Sequence, residues 1–417
     1  MTTVSPPLPA PEAQARRTSW GHWYAAVRHA LDRPLTAYYL LLGASGLLLT
    51  IGLIMVLSAS SVYSYEQNGS SYAVVTRQLM WVAIGLPCAW VASRLPTSFV
   101  RRFAWLGLIL AVVLLALVRV PGLGREVNGN TNWLGLGPFV VQPAEVAKLA
   151  IVLWAAHIYA RKDKRLGSFH EVLMPVVPGV LLVVGLVVLG KDLGTALVLA
   201  AILMAMLWVV GAPGRLFAAM LSGVAVLAFY LASTSSERLA RLSNFADPFK
   251  DYLDTGWQPA HGLYALSSGG IFGEGIGSSR QKWGDLPEAH TDFIFAVLGE
   301  ELGLIGTLLV VGLFLTIAYA AVRIATHTTE PFVRYMSFGI VVWLLGQMII
   351  NVGMVLALVP VIGIPLPLVS YGGSALVPSL VALGLLIGFA RRDPEAAQAL
   401  AQRKKARSAG LAAGRVS

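Results

Sequence analysis

Runs of about twenty apolar residues recur along most of this chain, and a helix that crosses a bilayer needs about that length. "YYLLLGASGLLLTIGLIMVL" and "FAWLGLILAVVLLALV" are two of them. Such windows predict about ten helices, near 36–58, 75–93, 103–120, 142–160, 171–189, 192–211, 214–233, 291–322, 332–357 and 373–390. Around Gly190 and Lys191 the pattern fits either two helices joined by a very short turn or one kinked pair. Only 12% of the residues are charged and the mean hydropathy is +0.71, whereas a soluble domain carries about 25% charged residues. The expected fold class is an all-α polytopic membrane protein with a bundle over 36–392. The first window follows a Pro-rich polar tail with no obvious small-residue cleavage site, so it is read as a retained span and not a signal peptide. Cys88 is the single cysteine, which excludes a disulfide framework and a thiolate metal site.

The net charge of +10 suggests nucleic acid at first sight, but the bases sit in short loops and tails beside apolar spans. They gather at Arg16, Arg17, Arg28 and Arg33, at Arg94, Arg101 and Arg102, in "RKDKR" at 161–165, and at Arg391, Arg392, Arg403, Lys404, Lys405 and Arg407. With about ten spans these all fall on one side, which the positive-inside tendency makes cytoplasmic. No nucleic-acid partner is expected. Both tails, 1–35 and 393–417, are then cytoplasmic and expected to be disordered. The segments 121–141, 234–290 and 358–372 fall on the outer face. The 234–290 segment is long for a connection, and long loops in compact folds tend to be functional.

Chemistry is therefore sought outside, and "LPEAHTDFIFAVLGEELG" at 286–303 is the most unusual stretch. Asp292 stands at the outer mouth of the eighth helix, where partial desolvation raises a carboxyl pKa and makes a better proton acceptor. The same position suits a helix N-terminal carboxylate that satisfies free N–H groups, and the two roles are compatible. Glu300 and Glu301 lie about 12–14 Å deeper and turned away from one another, so they cannot all line one cavity with Asp292. At least one of them is expected to make a structural pair.

Elsewhere, Glu145 and Lys148 stand at i, i+3 behind Pro143 on the outer part of the fourth helix. They form either a neutralised internal ion pair or a charged wall of a polar cavity. Trp133 in the preceding loop offers a flat surface for a sugar or an interfacial anchor. Asp192 follows Lys191 at a helix start and suits a cap. Pro360, Pro365, Pro367, Gly372 and Gly373 break the helix before the last span. Irregular backbone at membrane depth is tolerated only against protein or water. Arg238, Arg241, Arg280 and Lys282 are loop bases that could meet an arriving anion. No zinc-type His/Cys spacing and no phosphate-cradling Gly-Lys loop is present.

"NWLGLGPFVVQPAEVAKLA", "DLGTA", "YALSSGGIFGEGIGSSRQKWGDLPEAHTDFIFAVLGEELGLIG" and "PLPLVSYGGSALV", in this order, resemble the SEDS family of bacterial cell-wall proteins. The resemblance runs from about 36 to 392, and "LPEAHTDFIFA" is closer to the division branch than to the elongation branch. It implies a ten-helix peptidoglycan glycosyltransferase that polymerises lipid II on the outer face of the bacterial cytoplasmic membrane, at the division septum. It implies that Asp292 is catalytic and that Glu145 and Lys148 line a central cavity. It also implies a class B penicillin-binding protein, the cross-linking transpeptidase, as partner beside other divisome proteins. Trp133, Asp192, His290, Arg280 and Lys282 complete the expected substrate contacts. Two departures are visible: Asn132 where the family commonly has a base, and Lys191 where it commonly has proline.

The expected step is an inverting one, with Asp292 accepting the proton of the acceptor's GlcNAc 4-hydroxyl. Lys148, loop arginines or a divalent cation, Mg or Mn, would hold the leaving pyrophosphate; no resident metal is expected. The rival readings are a lipid II flippase, a scaffold that only activates its partner, and an elongation-type polymerase.

Overall fold

The computed structural model describes residues 33–127, 130–136, 139–233, 245 and 247–402. Arg238 and Arg241, most of the N-terminal tail and residues 403–417 lie outside them.

Each apolar window holds one main helix. These are α1 (Thr36–Asn68), α2 (Ala73–Arg94), α4 (Ala104–Leu117), α5 (Pro143–Lys162), α7 (Val176–Leu189), α8 (Leu193–Val209), α9 (Gly214–Ser233), α11 (Ile294–His327), α12 (Pro331–Val355) and α13 (Gly373–Arg392). Short helices α3 (Thr97–Arg102), α6 (Phe169–Leu173) and α10 (Trp257–Ser268) fill connections. Among the described residues six helical segments are long and apolar enough to cross a membrane, and α4, α8 and the first part of α9 are shorter apolar helices. α5 is long, but Glu145, Lys148, Arg161 and Lys162 dilute its apolar character. Gly190–Asp192 is a tight turn between two separate helices, with Lys191 at φ 62°, a conformation proline cannot adopt.

The all-α expectation needs one correction. Segment 121–141 carries a three-stranded antiparallel sheet, β1 (Gly124–Val127), β2 (Asn130–Leu136) and β3 (Phe139–Val141). Arg125 faces Trp133 and Leu134 faces Val141 across it. A hairpin signal was present in the sequence, since Asn128–Gly129 separates β1 from β2. The described part of segment 234–290 is also less irregular than its glycines suggested, because α10 forms within it.

The core is one apolar cluster shared by most of the helices. α2 and α13 pack tightly, and a Cβ at Gly384 would collide with the Ala89 carbonyl oxygen. Small residues permit that approach where lipid supplies no hydrophobic drive between helices. A cluster of basic residues lies at one end of the bundle. There Arg392 donates to Leu95 O at 2.5 Å, Arg323 to Arg33 O at 3.2 Å, and Tyr335 to Asp163 at 2.6 Å. The start of α1 and the end of α13 share this end, while Asp292 and the sheet belong to the other.

Candidate active site

Asp292 lies in the turn that leads into α11. The turn closes on the Glu288 carbonyl, which accepts from Thr291 N and Phe293 N, each at 3.1 Å. Glu288 takes φ 56°, and its carboxylate accepts the Thr291 hydroxyl at 2.6 Å. Phe293 is the N-cap residue, with no side-chain cap. Asp292 is therefore not spent on capping, and among the described residues no hydrogen bond is formed by its carboxylate.

What holds the turn is a strap of chain, residues 359–372. Three successive carbonyls are each gripped by it or beside it. Tyr371 N donates to His290 O at 3.0 Å. The Ser370 hydroxyl donates to Thr291 O at 2.6 Å. Asn351 Nδ2, buried on α12, donates to Asp292 O at 2.7 Å and to Ile364 O at 2.8 Å. The strap is itself fixed by Gln78 of α2, which donates to Ser370 O at 3.3 Å and accepts from Gly372 N at 3.2 Å. Gly363 takes φ 68°, and a Cβ there would come within 3.2 Å of Asp292 Oδ2. The strap thus passes directly over the carboxylate, with backbone in a region that favours glycine.

Burial pushes the Asp292 carboxyl up to about 7, and the negative charges of Glu288 and Asp192 add to the rise. Asp192 caps α8, accepting from Thr195 N at 2.9 Å and the Thr195 hydroxyl at 3.0 Å. It also accepts from Asn132 Nδ2 at 3.0 Å and Gln142 Nε2 at 2.8 Å. The two departures from the family pattern thus sit at one place: Asn132 binds Asp192, and Lys191 precedes it. Among the described residues no group of three His, Cys, Asp or Glu is placed to hold a metal ion.

His290 stacks on Tyr63 with ring centroids 4.9 Å apart and tilts against Tyr371 at 5.7 Å. Burial lowers its pKa against the opposing pull of Glu288, so it offers a neutral imidazole. Trp133 is half-buried on β2. Glu145 and Lys148 form a 2.7 Å ion pair whose side chains are 2% and 1% exposed. The ammonium lies 5.9 Å from the Trp343 ring centroid, and Glu145 Oε2 is buried without a partner. Among the loop bases, Arg280 is exposed. Lys282 is buried, donating to Glu301 Oε1 at 3.0 Å, Ser58 Oγ at 3.0 Å and Gly277 O at 2.7 Å. Its three donor directions are used inside the protein, away from any arriving anion.

Sequence reasoning passed over Asn351, Gln78 and Ser370. For Asn351 and Gln78 a signal existed, because amide side chains within apolar spans are costly and seldom idle.

Comparison with known proteins bears on this arrangement. The family profile described as "Cell cycle protein", of the FtsW, RodA and SpoVE type, matches residues 39–394. The chain is 41% identical over 390 residues to the probable peptidoglycan glycosyltransferase FtsW of Mycobacterium tuberculosis, covering 94% of this chain and 73% of that protein. The chain belongs to the FtsW/RodA/SpoVE family. Stage V sporulation protein E of Bacillus subtilis is 37% identical over 347 residues, covering 83% of this chain and 94% of its own. Among solved structures, a peptidoglycan synthase complex, described for its structural coordination of polymerization and crosslinking, aligns with a TM-score of 0.68 at 28% identity. That alignment covers 85% of this chain and 97% of the other. The rod shape determining protein RodA of Thermus thermophilus aligns with a TM-score of 0.62 at 28% identity, over 85% of this chain and 96% of its own. The family match takes in α1 to α13, so the turn, the strap and the sheet all lie within it.

Proposed function

We propose that this FtsW/RodA/SpoVE family member is a peptidoglycan glycosyltransferase of the division type, polymerising lipid II with Asp292 as general base. The observation that carries the reading is the Asp292 carboxylate: partly buried, its pKa raised to about 7, without a hydrogen bond among the described residues, and anchored through its backbone by Asn351. A base titrating near the operating pH has the best balance of ionised fraction and proton affinity. The acceptor GlcNAc 4-hydroxyl gives its proton to Asp292 as its oxygen attacks the donor's anomeric carbon. The bond to the pyrophosphate breaks on the opposite face, leaving the lipid pyrophosphate and a β-1,4 linkage. Arg280, exposed on the loop that precedes the turn in sequence, supplies positive charge to the leaving group. The stacked pair of Tyr63 and His290 offers an aromatic flank for the sugars.

The reading includes a ten-span topology with both tails cytoplasmic and the Asp292 end outside, in the cytoplasmic membrane at the septum. The gathering of bases at the opposite end supports it. A class B penicillin-binding protein is the proposed partner, a reading supported by the likeness to a synthase complex that joins polymerization to crosslinking.

General-base catalysis contributes about 10²–10⁴-fold. Purified Asp292→Asn, with its partner and lipid II, should lose polymerisation by at least about a hundredfold while melting like the parent. Polymerisation at the parent rate removes Asp292 from the role; lipid II flipping in vesicles without polymerisation favours a transporter instead.

A further inference from the structure

The α11 backbone leaves helical geometry at Gly303. In an unbroken helix Leu304 N and Ile305 N would bond the carbonyls of Glu300 and Glu301. Here all four groups pair with one short stretch of chain, residues 270–275. Leu304 N donates to Gly270 O at 3.0 Å and Ile305 N to Ile271 O at 3.2 Å. Glu300 O accepts from Glu274 N at 2.9 Å, and Glu301 O from Gly275 N at 3.0 Å. Between them Gly273 takes φ 82°, and a Cβ there would lie 2.2 Å from Glu301 O. Backbone groups freed by a kink must be matched in this way where water cannot reach them.

The chain gets there by running down beside α11 and coming back. On the way down, α10 lays Gly262 on the Phe293 ring, Leu266 on Gly299 and Gly269 on the Gly299 carbonyl. On the way back, Ser279 N and Arg280 N donate to the Glu301 and Glu300 carboxylates at 3.3 and 2.8 Å. Lys282 then meets Ser58 of α1. The tip of this excursion lies beside Leu304 and Ile305, ten residues or more past Ile294, which is about 15 Å along the helix.

The side chains are distributed as a bilayer would sort them. At the tip Ile271 is exposed and Phe272 is 80% exposed, and Leu304, Ile305 and Leu308 of α11 are exposed as well. The Ser267 and Ser268 hydroxyls donate to Tyr264 O at 2.9 Å and Ala265 O at 3.0 Å, which satisfies them without solvent. The exposed charges Glu274 and Arg280 belong to the returning limb. Glu274 meets α11 at Glu300, one turn or about 6 Å nearer the mouth than Leu304. Exposed Trp283 ends the limb, a residue type that favours the bilayer interface.

We propose that residues 269–283 form a re-entrant loop whose tip, Ile271 and Phe272, enters lipid hydrocarbon from the Asp292 end of the bundle. The lipid-facing side of α11 then continues across the loop, and the tip pins the Asp292 turn at the polar edge of the bilayer. Which leaflet the tip enters rests on the orientation proposed above. That it enters one rests neither on the orientation nor on the catalytic assignment.

The test is spin-label accessibility of the full chain in vesicles of phosphatidylethanolamine and phosphatidylglycerol, in a Cys88→Ser background. A nitroxide is attached at Phe272→Cys, at Leu308→Cys as a lipid-facing helix position, and at Leu253→Cys. Leu253 is 87% exposed ahead of α10. Molecular oxygen concentrates in hydrocarbon, whereas a neutral nickel chelate, equilibrated on both sides of the membrane, stays in water. Oxygen should relax the Phe272 label more than the chelate does, as at Leu308, and the order should invert at Leu253. Phe272 is an exposed side chain, so its replacement should melt like the parent; Ile271→Cys supplies the same reading if it does not. A Phe272 label that follows Leu253 puts the tip in water and overturns the proposal. Shielding from both reagents means that protein covers the tip, and overturns it equally.

Discussion

Asp292 owes its raised proton affinity first to burial, then to the charges of Glu288 and Asp192. A base works only when ionised, so polymerisation should rise with pH through about 7 and level off above it. Below that point the rate should fall about tenfold per pH unit. Glu288→Gln removes one of the like charges, so the acid limb should move to lower pH while the plateau persists, as rate profiles of parent and variant would reveal. An unmoved limb would mean that Glu288 does not act on the base. Asn351 works on the same residue by another route, since it holds the Asp292 carbonyl and not the carboxylate. Asn351→Ala should lower kcat about tenfold with little change in the KM for lipid II, because a misplaced base loses alignment and not binding. An unchanged kcat would reduce Asn351 to a packing residue. Of this pair only Asp292 was legible in the sequence, because its charge marks a membrane mouth. Asn351 was hidden inside an apolar window, and its value depends on two carbonyls brought together from distant parts of the chain.

α11 shows what buried carboxylates do at the scale of an element. Gly303 leaves helical geometry at φ 67° and ψ −165°, and the loop ahead of the turn docks onto that kink. Glu274 N donates to Glu300 O at 2.9 Å and Gly275 N to Glu301 O at 3.0 Å. The Glu300 side chain accepts the Ser279 hydroxyl at 2.5 Å and Arg280 N at 2.8 Å. Glu301 accepts from Lys282 and from the Ser58 hydroxyl of α1 at 2.6 Å. Both carboxylates are architecture, as helical spacing suggested. Spacing could not reveal Lys282 as the partner, because that contact is made across folded chain. Lys282→Met leaves Glu301 buried and unpaired, which typically costs about 3–5 kcal/mol. The variant should melt well below the parent, and Lys282→Met with Glu301→Leu should recover most of the loss. Failure of the double variant to recover would show that the pair's other hydrogen bonds, to Ser58, Ser279 and Gly277, matter more than its charges.

At the scale of the molecule, ten apolar windows each hold a main helix, because twenty-residue apolar runs dictate length and type almost alone. The polar stretch 121–141 offered no such constraint, and its sheet depends on a hairpin and on docking against Gln142 and Ser374. Ser374 Oγ accepts from Gln142 N at 3.0 Å and donates to Val140 O at 3.4 Å. The two ends of the bundle differ: the Asp292 carboxylate, aromatic pair and strap lie at one, a cluster of basic residues and both tail attachments at the other. Orientation in the membrane follows from that polarity under the positive-inside tendency, and it is open to direct measurement. Cys88 is the chain's one cysteine and is exposed on α2, so Cys88→Ser gives a cysteine-free background. Single cysteines placed at exposed Glu126, on β1 at the Asp292 end, and at exposed Lys164, beyond α5, report the two ends. In intact cells a membrane-impermeant maleimide should label the first and spare the second until the membrane is opened. The reverse pattern would put Asp292 inside, where no lipid-linked disaccharide could be polymerised into an external wall, and the proposed reaction would fail with it.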